Sequence, residues 1–142
     1  MRSNYIRGAS VTCSASQAEI QTMLASAGAT GIRFASERGK TRITFRSGGH
    51  HFLLALPAAT SDLPHAQEAA RRGWRQLSAL VQAKLDAVDA GITTFDEEFL
   101  AYMVMPGGAT VFQAVAPGIA AAYAAAAPPP AAPPGALPTG PP

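Results

Sequence analysis

Three consecutive carboxylates, Asp96, Glu97 and Glu98 in "GITTFDEEFL", are the first candidates for chemistry in this chain. Carboxylates aimed at one point hold a hard cation or divide acid and base work between them. Consecutive helical positions are about 100° apart, so on a helix these three fan outward. The flanking residues predict a helix. Thr94 stands three residues before Glu97, the spacing of a capping box in which hydroxyl and carboxylate each take one free amide. Acids in a first turn also face the positive end of the helix dipole. The cluster reads as a helix start and supplies no catalytic residue.

The other reactive side chains are scattered. His50 and His51 are adjacent, and neighbours on a strand point to opposite faces, so they do not grip one ion there. His65 stands alone in the loop "AATSDLPHA". No CxxC, HExxH or HxxxH pattern occurs, and no metal or cofactor is expected. Cys13 is the single cysteine, which excludes an internal disulfide and permits a reducing compartment. It lies in "ASVTC", where apolar and polar residues alternate, and reads as a small buried hydrophobe. "GGATVFQAVAPG" lacks the lysine of a phosphate-binding loop. "GASVTCS" lacks the GxSxG of a nucleophile elbow.

What remains is basic: Arg33, Arg42, Arg46 and His51, and then Arg71, Arg72 and Arg75. Guanidinium groups on a flat surface suit phosphate or carboxylate partners. The net charge of +2 hides a division. Through Arg75 the chain carries ten Lys/Arg against four Asp/Glu, a balance of +6; from Gln76 onward it carries one against five, a balance of −4. The two halves attract different partners, or each other.

Where these side chains point depends on the elements that carry them. "TGIRFAS" and "TRITFRS" flank "ERGK", and a two-residue turn at Arg38-Gly39 pairs Phe34 with Ile43 and Ile32 with Phe45. Gly48-Gly49 is a second turn signal, pairing Phe45 with Phe52 and Ile43 with Leu54. Both turns put the large apolar residues on one face and Arg33, Arg42, Thr44 and Arg46 on the other. A slip of one residue destroys that segregation. "HFLLALP" is the last strand of this meander, with His51 across from Arg46. Phe34, Phe45 and Phe52 point to the core, so the basic face lacks the rings on which single-strand readers stack bases.

Before the meander, residues 9–13 read as a short strand. Ser16 and Glu19 have capping-box spacing, Ile20, Met23, Leu24 and Ala27 form one helix face, and Gly28 ends that helix. After it, Trp74, Leu77, Val81, Leu85, Val88 and Ile92 step by three and four. Gly73 costs about 1 kcal/mol inside a helix, so this helix is expected to firm up after it and to end at Gly91. The helix capped by Thr94 is expected to run to Met105, with Phe95, Phe99, Leu100 and Met103 as packing residues. "ATVFQAV" is open between a short strand and a helical turn, and Pro117 opens a last alanine-rich helix. "AAAAPPPAAPPGALPTGPP" follows an extended polyproline-like path outside any core.

The segment "WRQLSALVQAKLDAVDAGITTFDEEFLAYMVMPGGATV" resembles a group of small proteins encoded by actinobacterial phages and by actinobacterial genomes. Trp74-Arg75, "AKLDAVDAGITTFDEEFLA" and the following Met-Pro carry the resemblance, which spans roughly residues 9–125. The group often has an acidic residue where this chain has Gly107-Gly108. The resemblance implies a cytoplasmic setting in an infected or lysogenic cell. It brings no catalytic residue.

The expected fold is α+β: an antiparallel β-meander in the order β-α-β-β-β, packed on one face by amphipathic helices. The expected organisation is a flexible start at residues 1–8, one domain over 9–123, and a disordered Ala/Pro tail over 124–142. Within the domain, 9–57 form the strand, helix and meander, 64–105 a helical pair, and 106–123 an irregular stretch or short helix. No secretory leader or membrane span is visible in the composition. The leading functional expectation is a non-enzymatic binding module of a phage or mobile element, meeting nucleic acid or an acidic protein. The alternative is a module that self-associates or inhibits a host protein through the Trp74–Ile92 stripe. An enzyme would need Cys13, a histidine and a carboxylate in one pocket.

Thr94→Ala removes the cap of the third helix and should cost about 1 kcal/mol. Chemical denaturation measures this, and binding should survive. Loss of binding at unchanged stability would return the acid cluster to a functional role.

Overall fold

The computed structural model describes residues 4–37, 39–57 and 63–128, and of residues 4–12 and Pro57 the backbone alone. The element order is α1 (Asn4–Ser26), β1 (Thr30–Glu37), β2 (Lys40–Ser47), β3 (His50–Pro57), α2 (Pro64–Asp89), α3 (Phe95–Glu98), a 3₁₀ turn (Leu100–Tyr102) and α4 (Val111–Ala126). The fold is α+β, with one antiparallel sheet in the order β1-β2-β3.

The meander has the expected register. Phe34 lies opposite Ile43, Phe45 opposite Phe52, Ile43 opposite Leu54 and Arg46 opposite His51. Gly48 and Gly49 close the second turn with φ of 59° and 83°, a geometry that matches the twist of the flanking strands. One detail differs. The β1–β2 pairing shifts between Thr30 and Arg33, which takes Ile32 out of register with Phe45. Gly31, at φ 62°, accommodates this bulge, since a residue without Cβ enters that region freely.

The inner face of the sheet is the floor of the core. Ile43, Phe45, Phe52 and Leu54 are buried with Ile20 and Leu24 of α1, Trp74, Leu77, Val81 and Leu85 of α2, and Phe99. Four phenyl rings meet at its centre. Phe45 and Phe52 stack at 5.3 Å, Phe95 and Phe99 at 4.6 Å, and the two stacks meet edge to face. Such rings attract beyond the apolar area they bury. Phe34 packs on Trp74 at 6.1 Å. Ser78, buried on α2, donates to Glu19 of α1 at 2.9 Å, which ties the two long helices together.

Several expectations are corrected. Residues 9–13 are helical, not a strand, so the order begins with a helix, and among the described residues the sheet is the three-stranded meander alone. Five alternating residues are a weak strand signal. Once the packed part of α1 has nucleated, each added residue gains a hydrogen bond. Ser16 consequently lies inside α1 and is buried, and it caps nothing. Asn4 to Gly8 open α1; residues 1–3 lie outside the described residues. Of the expected loop before α2, residues 58–62 also lie outside them, and His65 is in the first turn of α2. Gly73 does not delay α2, which starts at Pro64, a residue that needs no helical donor.

The second helix of the expected pair ends at Glu98 instead of near Met105. The open edge of β3 decides this. The Val104 amide donates to the His51 carbonyl at 2.8 Å, and Met103 bridges to Phe52. An extended partner satisfies strand-edge groups that a helix leaves unpaired. The chain then doubles back, Val104 bridging to Thr110, and Thr110 starts α4 with a capping box to Gln113. "ATVFQAV" therefore divides between one bridge residue and a helix start. Pro117 lies inside α4, not at its beginning, and α4 reaches Ala126. The tail from residue 129 onward lies outside the described residues.

Phe99→Ala should lose about 3–5 kcal/mol, because it opens a cavity at the ring cluster; urea unfolding followed by circular dichroism tests this. Gly73→Ala should act in the opposite direction. A Cβ there meets only the Leu56 side chain, at 3.5 Å or more, so the helix should gain about 0.5–1 kcal/mol. A lowered unfolding midpoint for Gly73→Ala would contradict this packing.

Candidate functional site

Strand alternation that buries Ile43, Phe45, Phe52 and Leu54 turns their neighbours outward. The outer face presents Arg33, Ala35 and Glu37 on β1, Lys40, Arg42, Thr44 and Arg46 on β2, and His51, Leu53 and Ala55 on β3. Among the described strand residues, with the histidine neutral, four cations stand against the carboxylate of Glu37, a net +3. Arg33, Arg42, Arg46 and His51 are all exposed.

A depression of about 410 Å³ lies on this face, lined by Thr30, Gly31, Arg33, Thr44, Arg46 and His51, with Phe45 at its floor. The bulge at Gly31 belongs to its wall. Two guanidinium groups, an imidazole and two hydroxyls share this space, and among the described residues no carboxylate lines it. All can donate hydrogen bonds to an anion, the imidazole through a ring N–H. Arg42 lies four residues along β2 from Arg46, about 14 Å of extended backbone. That spacing serves successive anions along a polymer better than one compact ion. The strand aromatics, Phe34, Phe45 and Phe52, belong to the inner face, so the strands offer no ring for base stacking.

The other three sequence candidates are elsewhere. Arg71, Arg72 and Arg75 sit on α2, which packs against the inner face through Trp74 and Val81. Arg71 donates through Nε to Glu68 Oε2 at 3.1 Å, and Arg75 approaches the same carboxylate at 3.7 Å. The Arg71 hydrogen bond and charge hold the Glu68 carboxyl below its usual range. The seven predicted residues thus form two groups on opposite sides of the sheet, of which the Arg33, Arg46 and His51 group converges on one depression.

The carboxylate cluster separates as its helical spacing predicts. Asp96 pairs with His50 Nδ1 at 3.3 Å, Glu97 closes the capping box with Thr94, and Glu98 takes Lys84 at 3.2 Å and Thr93 at 3.1 Å. Lys84 also donates to the Glu98 carbonyl and lies against the rings of Phe99 and Tyr102, pinning α3 to α2. Burial pushes the Cys13 thiol up, with Arg71 pulling the other way, so the thiolate needed of a nucleophile is disfavoured. Among the described residues, no three His, Cys, Asp or Glu side chains group to hold a metal.

Sequence reasoning missed Thr30 and Gly31. A glycine inside a strand pattern was the available signal, since it commonly marks a bulge. It also missed the apolar half of the outer face. There Leu53 and Ala55 border a groove of about 400 Å³ with Ala101, Tyr102, Thr110, Phe112 and Gln113.

Compared with known protein families, curated proteins and solved structures, the chain finds no match. Among the described residues, no helix is long and apolar enough to cross a membrane.

Proposed function

We propose that this protein is a non-enzymatic binding module that holds the phosphate backbone of a nucleic acid on the outer face of its sheet. The depression that gathers Arg33, Arg46, His51, Thr30 and Thr44, with no carboxylate among the described residues that line it, is the observation that carries this reading. Arg42 and Lys40 extend the positive strip along β2. Phosphate contacts of this kind fix position and affinity without reading sequence, in keeping with strands that offer no stacking ring on this face. The absence of strand rings favours a duplex over a single strand. The setting we propose, on the resemblance noted in the sequence, is the cytoplasm of a phage-infected or lysogenic actinobacterial cell. Arg71 and Arg75 share Glu68 and take no part.

Binding of a labelled random-sequence duplex, followed by anisotropy at several salt concentrations, tests the proposal. The logarithm of affinity should fall linearly with the logarithm of salt, and Arg33→Ala with Arg46→Ala should flatten the slope by about 2, near 0.9 per lost phosphate contact. Arg72→Ala should leave it unchanged. Absent or salt-insensitive binding of DNA and RNA would remove the nucleic acid and leave an acidic protein as the partner of this face. Equal losses in Arg72→Ala would move the site to α2.

A further inference from the structure

We propose that α4 is a self-association surface, on which two copies of this chain pair their α4 helices antiparallel about a twofold axis near Pro117 and Gly118. α4 is a 16-residue helix with no buried residue and no charged one. Phe112, Val115, Ile119 and Tyr123 are 62, 44, 51 and 76% exposed. They step by three, four and four, so they form one apolar stripe about 17 Å long. An amphipathic helix normally turns such a stripe to the core, and helices of this length draw most of their stability from that packing. In α4 the stripe faces solvent. The stripe of α2 offers no comparable surface: Trp74, Leu77, Val81 and Leu85 are in the core, and Ile92, 77% exposed, lies beyond the helix end.

Three features point to a second copy as the occupant. The stripe is nearly symmetric about its centre. Reversing the helix brings Phe112 onto Tyr123 and Val115 onto Ile119 to within one residue, so an antiparallel pair sets ring on ring and β-branched on β-branched. A twofold contact requires this self-complementarity. Next, a helix without charge meets its own copy without like-charge repulsion and presents nothing that selects a charged partner. Finally, the groove beside Leu53, Tyr102 and Phe112 lies at the N-terminal end of α4, where the partner's C-terminal turn and its Tyr123 arrive. The four large side chains leave on the order of 400 Å² per copy to be covered, counting rings at about 150–250 Å² when fully buried. With the groove added, the area still falls short of the roughly 800 Å² per partner of a standard interface. The dimer is therefore weak and concentration-dependent.

Sedimentation equilibrium of the full chain, from about 1 μM to about 500 μM, should show a monomer–dimer equilibrium with micromolar dissociation. Ile119→Glu should weaken it at least tenfold with the circular dichroism unchanged, because the side chain is exposed. Leu80→Glu, at an exposed apolar site on α2 (43%), should not. In a Cys13→Ser background, Ala116→Cys, on the stripe face and with its copies offset by only about 4.5 Å along the pair, should cross-link as a dimer on oxidation. Tyr123→Cys, whose copies lie about 17 Å apart along an antiparallel pair, should not. A chain that stays monomeric throughout, or association indifferent to Ile119→Glu, overturns the proposal; so does Tyr123→Cys cross-linking as readily as Ala116→Cys, the mark of a parallel pair. If the full chain is monomeric and deletion of 129–142 switches association on, the occupant is the chain's own tail. If a monomeric chain instead sediments with phosphatidylcholine vesicles, the occupant is a lipid surface; either result also overturns the proposal.

Discussion

Two stacked phenyl pairs, Phe45 with Phe52 and Phe95 with Phe99, meet edge to face at the centre of the molecule. The first pair belongs to the sheet. The second belongs to a helical segment too short to be stable by itself, since one turn fixes several residues for a single hydrogen bond. The rings hold that segment in place, and the rest follows from where it is held. With Phe99 fixed over the sheet, Met103 and Val104 reach the open edge of β3 and pair with it. With that edge closed, Thr110 and its cap set where α4 begins. The same rings commit one face of the sheet to the core, and the alternation of strand side chains then commits the arginines to the other.

The charge asymmetry of the chain is resolved locally. The acidic second half does not fold over the basic first half. Asp96 goes to His50, Glu98 to Lys84 and Glu97 to a helix cap, while Asp86 takes the Gln82 amide at 2.8 Å. Each of these four carboxylates finds a partner on or beside its own element. Arg33, Arg42 and Arg46 are therefore left exposed, opposite the core. Bringing cations together without a neutralising carboxylate is repulsive unless an anion shares the site, and this imbalance is what the proposed contact with a polyanion would relieve.

The molecule thus presents two unlike surfaces. One is polar, concave and positive, and is built on the sheet. The other is a neutral apolar helix held at its N-terminal end by a cap and two hydrogen-bonded bridges. If both are used at once, pairing through α4 places two basic faces in one particle, and the second contact with a polymer becomes intramolecular. A weak surface charge contact and a weak helix pairing then reinforce each other without either being strong.

Much of this was written locally. The meander register follows from period-2 alternation and two glycine turns, since any slip would expose Phe45 and Phe52 together. The stripe of α2 follows from spacing alone, and so does the divergence of Asp96, Glu97 and Glu98, because helical geometry forbids their convergence. All four residues expected on the basic face, Arg33, Arg42, Arg46 and His51, lie there for the same reason. What the sequence left undecided involves partners distant along the chain. Whether residues 9–13 joined the sheet, where the helix after Thr94 stopped, and which apolar stripe stayed uncovered all depended on which edges and faces remained free once the core had formed. The depression at Gly31 needed a bulge whose register only the paired strand defines. Local periodicity specifies which face of an element is apolar; only tertiary packing, by filling or failing to fill the space beside it, decides whether that face becomes core or contact surface.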